Sequence, residues 1–301
     1  MNVRIISIAC SFPEGNVEAR FLYCVLTSTE LVPFGHLPLR IAILPIEVQG
    51  KNFRLIDSGE AESRGFQGLA EWLKKCEIEW KNRGGAKNKI DVYGWLNYRN
   101  KLTRQNPEMR FRVVYPMSAT NLVASVIDLQ RMDLSMGLGD SLISMNGLVM
   151  DYKVFYCDVR GEDEAFYLCA VLNSRVIDEI IKPMQSRGLF GPRDITKKPL
   201  ELPIPRYNHT NTIHKEISEL GKKASKVVYS QLPKITDRYK GKVLVPQHVA
   251  RIRKASREFI MDILDQIDEN VASILETSNV TKLEQFIEKK KTDGDVNSKN
   301  R

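Results

Sequence analysis

The side chains best equipped for chemistry lie between residues 182 and 206, Lys-Pro-Met-Gln-Ser-Arg-Gly-Leu-Phe-Gly-Pro-Arg-Asp-Ile-Thr-Lys-Lys-Pro-Leu-Glu-Leu-Pro-Ile-Pro-Arg. Six cations, Lys182, Arg187, Arg193, Lys197, Lys198 and Arg206, are interleaved with glycines and prolines that argue against a helix. Gly188 and Gly191 permit a tight turn or a close approach to something large. Cations shown from a loop held at both ends by regular structure suit an anionic ligand, and backbone phosphate is the anion that fits best. Arg193 and Asp194 also admit a plainer reading, an internal ion pair that braces the loop.

A second segment, Tyr98-Arg-Asn-Lys-Leu-Thr-Arg-Gln-Asn-Pro107, sets Arg99, Lys101, Arg104 and Gln105 beside an aromatic ring. Such side chains read base edges and phosphates, although they also populate any solvated loop. Catalytic signatures are missing: there is no Asn/Asp-Pro-Pro-Tyr/Phe loop, no Walker phosphate loop and no Gly-x-Ser-x-Gly elbow. His36, His209, His214 and His248 are scattered, and His209 and His214 fall at a helix start where they would not share a face. Met136-Gly-Leu-Gly-Asp140 imitates a cofactor turn without the flanking strand and helix such a turn needs, so a simple glycine loop is expected. Glu288-Lys289-Lys290 matches the tail of a nuclease signature by composition alone. No metal site and no cofactor are expected in this chain.

The elements that must hold these residues follow from pattern. The chain has 301 residues, 43% hydrophobic and 27% charged, enough for one large core or two moderate ones. A net charge of +8 favours a polyanionic partner. Five dispersed cysteines without a Cys-x-x-Cys pair argue against a disulfide framework and for a reducing cytoplasm, and the first apolar run is too short for a membrane span. Val3–Ala9, Phe21–Leu26 and Arg40–Pro45 read as strands, and the stripe Leu69, Trp72, Leu73, Cys76, Trp80 as an amphipathic helix ahead of a basic linker, Lys81–Lys89. Phe111–Tyr115 and Asn121–Ile127 read as a hairpin, Ser141–Val149 as a further strand, and Asp163–Ile181 as one helix.

Beyond Pro205 the pattern is helical. Ile213, Ile217, Leu220, Ala224, Val227 and Val228 mark one helix; Val249, Ile252, Phe259, Ile263, Ile267, Val271 and Ile274 mark a second, a seam suited to an antiparallel hairpin. Lys222, Lys223, Lys226, Lys234, Arg238, Lys240, Lys242, Arg251, Arg253, Lys254 and Arg257 would gather at its tip, either for an anion or as a solvated face. The expected fold is α+β: a mixed-sheet recognition domain over 1–206, a helical hairpin over 207–278 and a charged, disordered tail over 279–301.

Asn173-Ser174 in an apolar helix, the block from Met184 to Pro199, and Leu202-Pro-Ile-Pro205 as a strand leading into a helix together resemble the target-recognition region of N6-adenine DNA methyltransferases of restriction-modification systems. The Leu-Pro-Ile-Pro pattern is similar also to type I restriction specificity subunits. Lys101–Pro107 and Val113-Val-Tyr115 look like segments just upstream of that region. The resemblance covers roughly 95–230 and is specific only over 184–205. It implies a module that grips double-stranded DNA and reads bases, with S-adenosylmethionine and catalysis in a partner subunit. Gln185, Arg187, Arg193, Lys197 and Lys198 are then the reading set, Arg187 and Arg193 for guanine edges and Lys197 and Lys198 for phosphate. The hairpin would dock a methyltransferase or restriction subunit, or a second copy. Two rivals stand: a helical scaffold with non-specific DNA affinity, and a methyltransferase with an unfamiliar cofactor loop.

Overall fold

The computed structural model describes residues 2–5, 15–82, 90–138, 141–185, 187–188, 191–192 and 194–277. The fold is α+β. The expected tail over 279–301, and most of the Lys81–Lys89 linker, lie outside the described residues. Two compact units emerge, each assembled from separated stretches of chain: Met1–Leu26, Leu39–Glu108 and Arg131–Tyr152 form the first, and Thr27–Pro38, Met109–Gln130 and Lys153–Arg301 the second. The division expected at residue 206 is therefore not where packing divides, because strands distant in sequence pair within each unit.

In the first unit Leu22–Leu26 is the middle strand of three, antiparallel to Arg40–Ile43 and parallel to Leu148–Met150. Tyr23, Leu44, Ile46, Phe53, Leu102 and Val149 pack about this sheet. The Gln67–Asn82 helix buries Leu69 and Leu73 of its stripe, together with Ala70, against Val17, Phe21 and Ile56, while Trp72, Cys76 and Trp80 are half-buried. On either side of the glycine run, Ser135–Leu138 pairs antiparallel with Ser141–Ser144, with no helix directly after it among the described residues; Gly139 and Asp140 lie outside them. The strand expected over Ser141–Val149 is two strands, Ser141–Ser144 and Leu148–Met150.

In the second unit the Phe111–Pro116 strand lies between Ser125–Asp128 and Val154–Val159, antiparallel to both. All six of its residues are buried, Arg112 included. The single helix expected over Asp163–Ile181 is two, Glu162–Asn173 and Arg175–Ile181, broken at Ser174 (ψ 139°), whose hydroxyl accepts the Val176 N–H, 3.1 Å, and caps the second. The Thr212–Thr236 helix packs on Glu162–Asn173 so closely that a Cβ at Gly221 would stand 2.6 Å from the Phe166 carbonyl oxygen. Gly221→Val is expected to cost roughly 2 kcal/mol or more, read as a lowered midpoint in urea unfolding.

The helical seam is used up inside this unit. Ile217, Leu220, Ala224, Val228, Ile263, Ile267, Val271 and Ile274 are buried in one core with Val113, Tyr115, Leu172 and Ile177. The helices are consequently not a separate docking arm, and self-association through the seam loses its physical basis. The second limb is also broken, into Pro246–Glu258 and Met261–Thr277, and Phe259 at the break is 51% exposed, off the seam. No helix among the described residues is long and apolar enough to cross a membrane.

Candidate nucleic-acid interface

The segment Tyr98–Arg104 follows a short helix, Val92–Leu96, whose start is capped by Asp91 accepting the Gly94 N–H, 2.7 Å. Asn97 then pins the turn: its Oδ1 accepts the N–H groups of Leu102 and Thr103 at 3.2 and 3.1 Å, and its Nδ2 donates to Thr103 Oγ1 at 3.0 Å. The pinned turn holds Arg99 and Asn100 at φ 55° and 58°, two successive left-handed residues. For an arginine this conformation costs on the order of 1–2 kcal/mol, while asparagine tolerates it better. Strain of this kind persists only where the surroundings over-determine the backbone, and Asn97 supplies that constraint. The result is a stiff turn with exposed Arg99 and Arg104, the Arg99 guanidinium lying 5.2 Å from the centre of the Tyr98 ring. Lys101 Nζ donates to the Tyr152 carbonyl oxygen at 2.7 Å.

Gln105 departs from expectation. It is 1% exposed and pairs with a single backbone residue in both directions, Nε2 donating to Met150 O and Oε1 accepting from Met150 N, each at 2.8 Å. It continues the hydrogen bonding of the Leu148–Met150 strand and is not available to DNA. Gln105→Ala leaves two buried backbone groups unpaired and is expected to destabilise the fold by roughly 2–4 kcal/mol, seen as a fall in Tm of several degrees.

Beside the stiff turn lies a cavity of about 500 Å³. Trp95, Leu96, Tyr98, Lys101 and Tyr152 border it, with Val25, Leu44, Val149 and Met150 among its apolar walls and Asp151 as the one acidic residue among the described residues that line it. Trp95 sits between two rings, its centre 5.7 Å from that of Trp80 and 6.3 Å from that of Tyr98.

In the second unit the 182–206 stretch is anchored on its return. The N–H groups of Ile195 and Thr196 both donate to Met117 O, at 3.1 and 3.0 Å, and Tyr115 Oη donates to Thr196 O at 2.9 Å, holding Thr196 at φ 49°. Further out, Arg187–Gly188 pairs antiparallel with Gly191–Pro192. A run expected to exclude helix contains one turn of it, Lys198–Glu201, with Pro199 near its start, where a missing N–H costs nothing. Leu202-Pro-Ile-Pro205 is not a hydrogen-bonded strand, since neither proline can donate to a ladder.

The cations of this stretch differ in role. Lys197 and Arg206 are exposed. Lys198, expected on phosphate, directs its ammonium at the carbonyl oxygens of Met184 and Asp194 and ties the loop's two limbs together. Lys182 pairs with Asp178 at 3.0 Å. Gln185, expected to read a base, is 5% exposed, and neither atom of its amide has a hydrogen-bond partner among the described residues. Arg193 and the suggested Arg193–Asp194 pair lie outside the described residues, and of Arg187 only the backbone is described.

Three of the helical cations are held within the unit, while Lys223, Lys226, Lys234, Arg238, Lys240, Lys242, Arg251 and Lys254 are exposed. Arg253 donates to the carbonyl oxygens of Leu31 and Ser28, 2.8 and 2.6 Å, and Arg257 to that of Leu122, 2.7 Å. Desolvation, followed by repulsion from Arg257, lowers the Arg253 pKa to about 10. Lys222 is held by Asp163 and Glu219. His214 Nδ1 accepts the Asn208 N–H at 3.0 Å and its ring stacks on Tyr167, 4.8 Å between centres, so it works as a neutral structural ring whose pKa burial lowers. Among the described residues no cluster of three or more His, Cys, Asp or Glu is placed to hold a metal ion.

Sequence reasoning missed Asn97, Trp95 and Tyr152. Trp95-Leu-Asn-Tyr98, an amide between aromatics directly before the cations, was a usable signal. Tyr152 carried none, because only the pairing of Leu148–Met150 with Leu22–Leu26 brings it to the cavity.

No protein-family model and no curated protein matches the chain. Among solved structures it is similar to the Type IIL restriction-modification enzyme MmeI in complex with DNA, at TM-score 0.44 and 9% identity, over 91% of this chain and 31% of that one. The chain thus spans under a third of that enzyme.

Proposed function

We propose that this chain is a sequence-specific DNA-binding, target-recognition module of a restriction-modification system, serving an N6-adenine methyltransferase whose catalytic residues and S-adenosylmethionine pocket lie outside these 301 residues. The observation that carries the reading is the stiff turn at Tyr98–Arg104. Arg99 and Asn100, two successive left-handed residues, form a tight turn closed by the Lys101 N–H donating to Tyr98 O at 3.2 Å, and the turn holds Arg99 in solvent against an aromatic ring. A guanidinium carried on a fixed turn suits bidentate pairing with a guanine edge or a phosphate, because the backbone that presents it is already ordered before contact. Lys197 and Arg206, exposed on the second anchored stretch, add charge that is independent of sequence. The block from Met184 to Pro199 adds the sequence resemblance. The rival scaffold reading is weakened by the helical seam, which the chain fills itself.

The test is the salt dependence of duplex binding. Arg99→Ala, Arg104→Ala and Lys197→Ala remove exposed cations. Each one that contacts phosphate is expected to flatten the slope of log K against log[salt] by about 0.9. Arg99→Ala is expected also to relax preference at one base pair by roughly 1–3 kcal/mol. Unchanged affinity and slope in the triple variant would remove these residues from any DNA interface.

A further inference from the structure

We propose that the cavity beside the stiff turn is a nucleobase pocket. It would take one flat heteroaromatic ring with its sugar, either from a nucleotide unstacked out of bound DNA or from a free nucleotide. The DNA source rests on the function proposed above; the pocket itself does not.

Four observations point to a base over other occupants. A volume of about 500 Å³ falls within the ~300–1,000 Å³ range of small-ligand sites and exceeds a packing defect. Three aromatic residues at its border, Trp95, Tyr98 and Tyr152, are 56%, 37% and 46% exposed, an unusual outlay of apolar ring surface to solvent within one short stretch of surface. Rings at a pocket mouth offer stacking that every base accepts. The charge is also of the right kind: Lys101 lines the cavity, its ammonium fixed by the Tyr152 carbonyl oxygen at 2.7 Å, and Arg99, outside the lining, lies over the ring of Tyr98, so a phosphate attached to the stacked base meets cations. Asp151, in the wall, is an acceptor suited to a base amino group or a sugar hydroxyl. A purely aliphatic ligand would use neither the rings' faces nor these charges.

Catalysis is not implied. A recognition module that holds one base out of the stack reads all of its edges, and bends or opens the duplex at that step.

The experiment has two arms. In the first, adenosine 5′-monophosphate is titrated against the full chain while tryptophan emission is followed, Trp95 being the reporter at the border. In the second, a duplex with a single unpaired adenine is compared with the fully paired duplex. Saturable quenching in the first arm, or at least about tenfold tighter binding of the bulged duplex in the second, is expected, and Tyr98→Ala and Tyr152→Ala should each reduce it by about tenfold. Both tyrosines are exposed, and the Tyr152 carbonyl that holds Lys101 survives substitution, so folding is preserved. Quenching without duplex binding would keep the pocket for a free nucleotide and refute the DNA reading. Duplex binding with neither quenching nor a bulge preference would refute the pocket and keep the DNA reading. A response retained in both tyrosine variants would also overturn the proposal.

Discussion

Arg112→Ala should be the most damaging single substitution in the second unit, costing roughly 3–5 kcal/mol in equilibrium unfolding. Arg112 is 1% exposed in the central Phe111–Pro116 strand. Its Nε donates to Asp158 Oδ1 at 2.6 Å, on the neighbouring Val154–Val159 strand, and its guanidinium lies 4.5 Å from the centre of the Tyr156 ring. Removing the cation strands a carboxylate that is only 25% exposed and opens a hole the length of an arginine stem. Replacing both partners, as Arg112→Met with Asp158→Leu, should cost less than the sum of the two single changes, because neither charge is then left alone. Equal and additive losses in that cycle would show that the pair is not coupled.

Asn173→Leu is expected to cost roughly 1–3 kcal/mol. This asparagine, noticed in the sequence only as a polar residue inside an apolar helix, pairs with a loop as a strand would. Its Oδ1 accepts the Ala124 N–H at 3.0 Å and its Nδ2 donates to Ala124 O at 2.9 Å. Ala124 is fully buried, so its N–H is orphaned in the variant at about 1–3 kcal/mol, whereas its carbonyl oxygen keeps the Phe34 N–H at 2.8 Å. Leu122, two residues earlier, is served similarly: Asp178 Oδ1 accepts the Leu122 N–H at 2.7 Å, and Arg257 donates to Leu122 O at 2.7 Å. Residues 122–124 thus form a buried loop whose hydrogen bonds come from three helices. Calorimetry should show a Tm drop of several degrees with cooperativity retained. A variant as stable as the parent would mean the loop finds other partners.

These two sites mark where reading the sequence succeeded and where it stopped. The pairing of Phe111–Pro116 with Ser125–Asp128 was legible, since two apolar β-rich runs flank a turn. So was the Gln67–Asn82 helix, from the spacing of its apolar stripe. The break at Ser174 was not, because apolar residues continue through it at helical spacing while the serine hydroxyl restarts the hydrogen bonding. Among candidate site residues, Arg99 and Arg104 are exposed as expected, whereas Gln105, Gln185 and Lys198 turn inward. A glutamine amid cations looks solvated until a strand forty-five positions away supplies its partner. Likewise, Arg253 and Arg257 look like surface charge until carbonyls of distant loops claim them. Polar side chains that satisfy buried backbone cannot be told from polar side chains that meet a ligand without knowing which backbone lies bare.

The central claim is that this chain, without a catalytic partner, prefers one short DNA sequence. Selection from a pool of randomised duplexes with the isolated protein, followed by competition against bulk DNA at fixed salt, tests it most directly. The account predicts enrichment of a single short motif bound at least about 10³-fold more tightly than random sequence. A pool that stays random, or an enriched duplex bound within about tenfold of bulk DNA, would contradict it.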